Sequence, residues 1–517
     1  MSKFIQGALI LLLAGFVTRI LGFINRIVIA RVLGDEGVGL YMMAFPTFVL
    51  VVTVTQLGLP VAISKSVAEA EAIGDRKKVK KILVVSLATT ISLSLVFTPA
   101  LILLAPILAD VLFTDPRTVW PLLAVAPVIP IIAVSSVIRG YFQGKQQMKP
   151  AALSQLLEQF VRICLIALLT QAFLPYGVEY AAAAAMVATV LGELVSLGYL
   201  LTMFKLKKRF RVRKKFMHSI RSGKKTFSEL MRVALPTTGG RMVGSLSWFF
   251  EPIVVANSLA IAGVTATMAT KQYGELTGYA MPLLMLPSFI THALSTSLVP
   301  AISEAYALKQ YKLVELRMQQ SIRFSLVSGG IAVVIMMVLA GPLVQEMYNS
   351  QKGAVFIQVM APFFLLYFFQ GPLTAVLQAL DLARAAMINS MIGAFVKLTV
   401  ITLLASQPTF GIMGAALGIV VGFVLVTFLH FFTVLKHIQF TLHLRDFVKT
   451  IVTMALVGWL GKQTFTQLYP LLGNAGTLFI TIIVMFVVYI TIILRLKLIR
   501  HEELAKFPVI GKWFTVG

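Results

Sequence analysis

Long apolar runs separated by short polar connections recur along the whole chain. Fourteen can be marked, near 7–30, 38–62, 80–105, 119–141, 151–173, 180–203, 229–256, 272–299, 322–344, 355–378, 386–405, 411–434, 447–468 and 474–496. A helix needs about 20 largely apolar residues to cross the hydrocarbon of a bilayer, so the pattern predicts an all-α polytopic membrane protein with fourteen transmembrane helices. Gly and Pro interrupt many runs, as helices packed against neighbours in lipid tolerate. The twelfth holds Gly414, Gly418 and Gly422, a small-xxx-small ridge that suits close helix packing or simply adds flexibility.

The first run, Gly7 to Ala30, carries Arg19 and Arg26, seven positions apart and so on one helical face. A guanidinium at mid-membrane depth is unfavourable by at least ~2.5–3.5 kcal/mol. The pair is therefore expected to face protein or a water-filled cavity. Two readings stand: pairing with carboxylates, carbonyls or an interface, and a cationic cavity for an anionic substrate.

Composition agrees with the pattern. Of 517 residues 58% are hydrophobic and 13% charged, and the mean hydropathy is +0.90, values of a membrane protein. One cysteine, Cys164, leaves no intrachain disulfide. The N-terminus lacks a small-x-small cleavage site and reads as a retained helix.

The net charge of +25 raises the question of nucleic acid, but its distribution answers otherwise. With both termini cytoplasmic, 35 of 45 Lys and Arg fall in cytoplasmic segments, 5 outside and 5 within spans. That is the positive-inside bias, and it needs no nucleic-acid partner. In this scheme Arg139 belongs to a cytoplasmic connection, while Arg117 and Lys271 lie outside. The basic loop from Lys205 serves topology and is also suited to anionic lipid headgroups.

That loop separates six spans from eight, and internal similarity supports the division. Pro60 begins P-V-A-I-S-K and Pro300 begins P-A-I-S-E. Gln143 and F-V-R at 160–162 recur, both offset by 235, as Gln378 and F-V-K at 395–397. N-R-I-V-I-A at 25–30 echoes E-P-I-V-V-A at 251–256. An even six-span unit repeating in one orientation predicts two pseudo-symmetric lobes about an axis along the membrane normal, with a site between them. The expected divisions are an N-terminal lobe, 1–204, a basic cytoplasmic loop, 205–228, a C-terminal lobe, 229–435, and two additional helices with a tail, 436–517.

Charges inside spans are few: Arg19, Arg26, Glu158, Arg162, Glu193, Arg241, Glu251, Glu275 and Lys397. Glu158 and Arg162 stand i, i+4 and are expected to form a structural ion pair. Lys397 repeats Arg162 without a matching Glu, since Gly393 occupies that place. It is a candidate for substrate or for a cross-lobe pair. Glu251 takes the repeat position of Asn25 and precedes Pro252, where a kink is expected. A carboxylate there suits cation binding, protonation or anchoring of an arginine. Arg241 lies near a span end, where snorkelling is the default. HExxH, phosphate-loop and Cys/His metal motifs are absent. Of the six histidines only His292 is read as deep in a span, and no external loop is long enough for a catalytic domain, so an enzyme is not expected.

Several stretches are recognisable as a set: T-R-I-L-G-F at 18–23, A-R-V-L-G at 30–34, Q-L-G-L-P-V-A-I-S-K at 56–65, Y-G-E-L-T-G-Y-A-M-P at 273–282 and A-L-S-T-S-L-V-P-A-I-S-E at 293–304. Through them the chain resembles the multidrug/oligosaccharidyl-lipid/polysaccharide exporter superfamily over essentially its whole length. The nearest branch is that of the polysaccharide-biosynthesis exporters, and the chain is similar to the peptidoglycan lipid II flippases. The resemblance implies two six-helix lobes about a central cavity, alternating access, and flipping of an undecaprenyl-pyrophosphate-linked peptidoglycan precursor, for spore cortex in a sporulation member. It also implies two further helices that form a groove for the lipid tail. Arg19 matches the family's first cavity arginine; the second falls at Asn25, with Arg26 one position on. Lipid II relatives place a basic residue within span eight, where this chain has only Lys271 at the edge; Lys397 or Arg241 would substitute. The expected pyrophosphate site is therefore Arg19, Asn25, Arg26, Arg241 and Lys397, with Glu251 as coupling carboxylate. No cofactor is expected beyond coupling to Na+, H+ or membrane potential. Membrane lipids and cell-wall synthesis proteins are the further expected partners. The rival readings are a cation-coupled multidrug exporter of the same fold, a non-transporting scaffold in a cell-wall synthesis complex and, more remotely, a membrane glycosyltransferase.

Overall fold

A computed structural model describes residues 3–207, 222–438, 441 and 443–498. Among these residues the chain is helical and contains no strand. The centre of the basic loop, 208–221, and the tail from 499 lie outside the described residues. The helices are α1 (Lys3–Gln56), α2 (Leu59–Ala72), α3 (Arg76–Ile107), α4 (Val119–Val125), α5 (Val128–Gly144), α6 (Met148–Phe173), α7 (Val178–Lys207) and α8 (Lys224–Ile261). They continue as α9 (Ala266–Gly274), α10 (Met281–Met285), α11 (Ser288–Ala307), α12 (Tyr311–Tyr348), α13 (Ala354–Ala379), α14 (Ala383–Ala405), α15 (Gly411–Leu435) and α16 (Leu444–Arg495).

Eleven helical segments among the described residues are long and apolar enough to cross a membrane, or twelve if the bent run Ala266–Ala307 is one span. The chain is a multi-pass membrane protein. The difference from fourteen arises where expected spans run together. Gly15–Ala72 covers 58 residues and Leu444–Arg495 covers 52, about 87 and 78 Å at the α-helical rise, against about 30 Å of hydrocarbon. Neither is a single crossing. The first breaks at Gly34, with φ 65° and ψ −175°, and again at Gly58 before α2; the second joins two helices at Gly473, with φ 66° and ψ −171°. Positive φ is available to glycine without the Cβ clash that other residues suffer. By contrast, α8 runs unbroken through Pro236 and Pro252. The expected kink beside Glu251 does not interrupt it.

Packing groups the residues into two compact units, Met1–Gly278 with Ala405–Ile412, and Tyr279–Leu404 with Met413–Gly517. The repeat instead divides the sequence at the basic loop. The two divisions differ because α8 and α9 pack on α1 within the first unit. The first unit has a core between α2, α3, α5, α7 and α8, in which Ile63, Leu83, Phe142, Leu200 and Leu230 are buried. In the second, Leu326 of α12 meets Phe369, Leu373 and Val376 of α13. α16 also packs on α12, and its buried Tyr489 hydroxyl donates to the Val327 carbonyl at 2.9 Å.

Lipid is as apolar as leucine, so helix association relies on close packing and small residues. The ridge on α15 shows this: Gly414, Gly418 and Gly422 are buried, and Gly418 and Gly422 receive Ile401 and Lys397 of α14. A Cβ at Gly422 would stand 2.6 Å from that of Lys397. In the first unit Gly39 of α1 meets the Thr270 carbonyl of α9. A Cβ at Gly274 would lie 2.6 Å from the Gly39 nitrogen.

Candidate functional site

Two groups stand out among the charges within the spans of the first unit. In the first group they neutralise one another. Arg139 of α5 reaches Glu193 of α7 at 2.9 Å and Glu158 of α6 at 3.2 Å. The same nitrogen, Nη2, donates to Ser196 Oγ at 2.9 Å. Arg162 pairs with Glu158 one turn earlier on α6, the contact expected from their spacing. α6 and α7 come close enough for this because Gly192 sits against α6: a Cβ there would stand 2.9 Å from the Glu158 carbonyl. The four charges sum to zero, as burial in a low-dielectric interior demands.

Sequence reading missed Arg139 and placed it in a cytoplasmic connection. It lies within α5, one turn before the helix end, and is half-buried. The apolar residues on both sides of it, Val137, Ile138, Tyr141 and Phe142, were the available signal; all four are buried.

The second group is led by Arg19. Arg19 is exposed on α1 and makes no ion pair among the described residues. Gly15, Arg19, Gly22 and Arg26 follow at helical spacing on one face. A Cβ at Gly15 or Gly22 would meet nothing within 4 Å. Open space therefore flanks Arg19 on this face. Arg26 is half-buried, and both it and Arg162 lie within electrostatic reach of the Tyr41 hydroxyl. Asn25 is buried, and its Oδ1 has no hydrogen-bond partner among the described residues. On α8, Arg241 is exposed, and its neighbours Gly239, Gly240 and Gly244 also face open space.

Glu251 is 7% exposed and lies within electrostatic reach of the buried Tyr273. In the second unit Lys397 is half-buried, and its aliphatic stem crosses Gly422. The buried histidine there is His430, whose Nδ1 lies 3.3 Å from Asn389 Nδ2. His292 is exposed. Sequence reading chose His292 because it stands mid-run; burial depends on which face the helix presents.

A further ionic cluster was invisible in the sequence. Arg117 pairs with Asp115 at 2.8 Å and with Glu36. Lys271 Nζ reaches Glu36 at 3.2 Å, and the Thr270 hydroxyl donates to Asp115 at 2.7 Å. Arg117 and Lys271, read as external loop charges, thus tie α9 to α1 within the first unit. Burial pushes the Asp115 carboxyl up, but bonds from Arg117 and Thr270 outweigh it and hold the group below the usual carboxylate range.

The family profile described as "Polysaccharide biosynthesis protein" matches residues 4–306, and that described as "MatE" matches residues 276–403. The chain is 57% identical over 511 residues to stage V sporulation protein B of Bacillus subtilis (strain 168), covering 99% of each chain. The chain belongs to the polysaccharide biosynthesis protein family. The family resemblance in the quoted sequence stretches is thereby established. A more distant member of the same set, lipid II flippase MurJ of Bacillus subtilis (strain 168), is 26% identical over 493 residues, covering 88% of this chain and 87% of its own. Among solved structures, "Lipid II flippase MurJ, inward closed conformation" superposes with a TM-score of 0.69 at 16% identity, covering 93% of this chain and 97% of that one. Its fold is shared by this chain. The family is one of membrane transporters rather than enzymes.

Proposed function

We propose that this chain is a lipid-linked oligosaccharide flippase. It moves an undecaprenyl-pyrophosphate-linked peptidoglycan precursor across the cytoplasmic membrane by alternating access, for spore cortex. The observation that carries the reading is Arg19: a cation in an apolar segment, exposed, without a carboxylate partner among the described residues, and flanked by glycines that face open space. A guanidinium fork matches phosphate oxygens bidentately and keeps its charge at any physiological pH. Arg26, Asn25, Arg241 and Lys397 are the further substrate contacts, and Glu251 is the coupling carboxylate. Fourteen crossings with both termini cytoplasmic complete the scheme: two six-helix lobes, 1–204 and 229–435, with the last two spans holding the lipid tail. The 57% identity to stage V sporulation protein B supports the cortex role, and the likeness to MurJ supports the substrate class.

A cation-coupled multidrug exporter is the second reading, favoured by the "MatE" match over residues 276–403 and by the buried Glu251. The experiment that separates the two is reconstitution of the purified protein into vesicles with labelled lipid II, scoring headgroup translocation. Translocation above protein-free vesicles is expected. Its absence, together with gradient-driven efflux of a cationic dye, overturns the flippase in favour of the exporter.

A further inference from the structure

α15 is apolar on every side apart from Thr427, His430 and Thr433, so hydrophobicity does not choose the face it turns to its neighbours. Its contact with α14 is a regular antiparallel seam. Asn389 meets His430, Gly393 meets Val426, Lys397 meets Gly422 and Ile401 meets Gly418, stepping up one helix and down the other by the same turn. The buried glycine ridge, Gly414, Gly418 and Gly422, repeats at that step too. A slide of one turn, about 6 Å, would set Lys397 on Gly418 and Ile401 on Gly414 and leave the ridge filled much as before. Small residues let two backbones approach but do not fix their relative height.

One set of contacts along the seam does not repeat. Ser390, Thr399 and Thr402 of α14 bond back to carbonyls of their own helix, whereas the buried Asn389 reaches α15. Its Nδ2 lies 3.0 Å from Thr433 Oγ1 and 3.3 Å from His430 Nδ1. Thr433 Oγ1 gives its only hydrogen to the Leu429 carbonyl at 2.6 Å, so towards Asn389 it accepts. That assigns the amide nitrogen to this side and makes His430 Nδ1 an acceptor, with the ring hydrogen on Nε2. On its other flank α15 is held by α13: Gln370 Nε2 donates to the Phe423 carbonyl at 2.7 Å and to Thr427 Oγ1 at 3.2 Å.

We propose that Asn389, clasped by His430 and Thr433, is a register pin for α14 and thereby the positioning residue for Lys397. The one-turn slide puts Asn389 against Val426 and Leu429, which offer no side-chain acceptor, and a buried amide without its partners is destabilising. A single buried asparagine sets the register of coiled coils for the same reason. Lys397 lies two turns along α14 on the same seam, so the pin sets the depth at which its ammonium meets a bound pyrophosphate. That consequence rests on the flippase reading; the register itself does not.

The test measures the distance between spin labels on Phe395→Cys of α14 and Phe432→Cys of α15, both exposed positions, in the full-length Cys164-free protein in vesicles. A single distance is expected with the clasp intact. Asn389→Leu/His430→Leu removes both polar partners together, so the melting temperature is expected to stay near that of the parent. A second distance population is nonetheless expected, from α14 slid by about 6 Å. A single, unchanged distance overturns the register pin. Should the double variant not fold, nitrogen NMR of labelled histidine in the wild type decides: the signal lost in His430→Gln must show hydrogen on Nε2 alone, and hydrogen on Nδ1 is fatal to the clasp. The positioning role is read by lipid II translocation in the same vesicles. The double variant is expected to lose at least about tenfold, and to lose nothing further in a Lys397→Ala background. An equal further loss there, or full translocation by the double variant, overturns the positioning of Lys397 and leaves the pin. Absence of translocation in the wild type overturns the flippase reading and the positioning role with it, while the distances still decide the pin.

Discussion

Arg19 and Arg139 show two fates of an arginine in an apolar segment. Arg139 is enclosed by two carboxyl groups, and removing it leaves both short of their partner. Breaking a buried pair in this way costs about 3–5 kcal/mol. Arg139→Ala is therefore expected to accumulate poorly and to unfold at lower temperature in detergent. Arg19 has no such partner among the described residues, and losing a charge from a span eases insertion. Arg19→Ala should accumulate like the wild type yet lose translocation, with Arg19→Lys between them because it keeps charge but not the fork. Full translocation by Arg19→Ala would remove the cationic site from the mechanism; failure to accumulate would make Arg19 structural. Asp115 gives the pH-dependent case. Its folded carboxyl is held low, so its contribution is present above the ordinary value near 3.9 and is lost as pH falls through the folded value. Asp115→Asn should cost about 1–3 kcal/mol at pH 7, measured by thermal melts, and the gap from wild type should close as the pH approaches 3.

At the scale of elements, the helices pack by glycine where they come closest. Gly39 and Gly274 bring α1 and α9 into backbone contact, which in turn aligns Thr270 with Asp115. Gly39→Ala forces the two backbones apart and is expected to cost about 1–3 kcal/mol. Gly15→Ala, whose Cβ meets open space, should leave the melting temperature unchanged. Equal stability of the two variants would show that the α1–α9 contact is not tight. Gly34 is needed for a different reason, its φ of 65°, so there even alanine is strained whatever the space. The sequence exposed the α15 ridge because three small residues at spacing four are visible in one dimension. It did not expose the Gly39–Gly274 contact, since a single glycine in a helix names no partner.

For the whole molecule, orientation is the property with the sharpest test. The charge bias places the Ser222 region inside and the Lys462 region outside. Single cysteines at these two positions on a Cys164-free background should label differently: Lys462→Cys from outside, Ser222→Cys after permeabilisation alone. The reverse pattern would invert the topology and with it the direction of transport.

The sequence by itself determined the class of the protein: membrane-spanning, all helical, of the polysaccharide biosynthesis family. It also carried a structural ion pair between neighbours on a helix, Glu158 with Arg162. These properties are local or one-dimensional. A bilayer demands length and apolarity of each segment separately, and i, i+4 contacts follow from the helix alone. Only the tertiary structure decided which charges are neutralised. Arg139 finds Glu193 across 54 positions and Arg117 finds Glu36 across 81, while Arg19 is left open. The reason is that spans apolar on every side carry no face-marking periodicity. The rotation of each helix, and so the direction of each charge, is set by the fit of its neighbours.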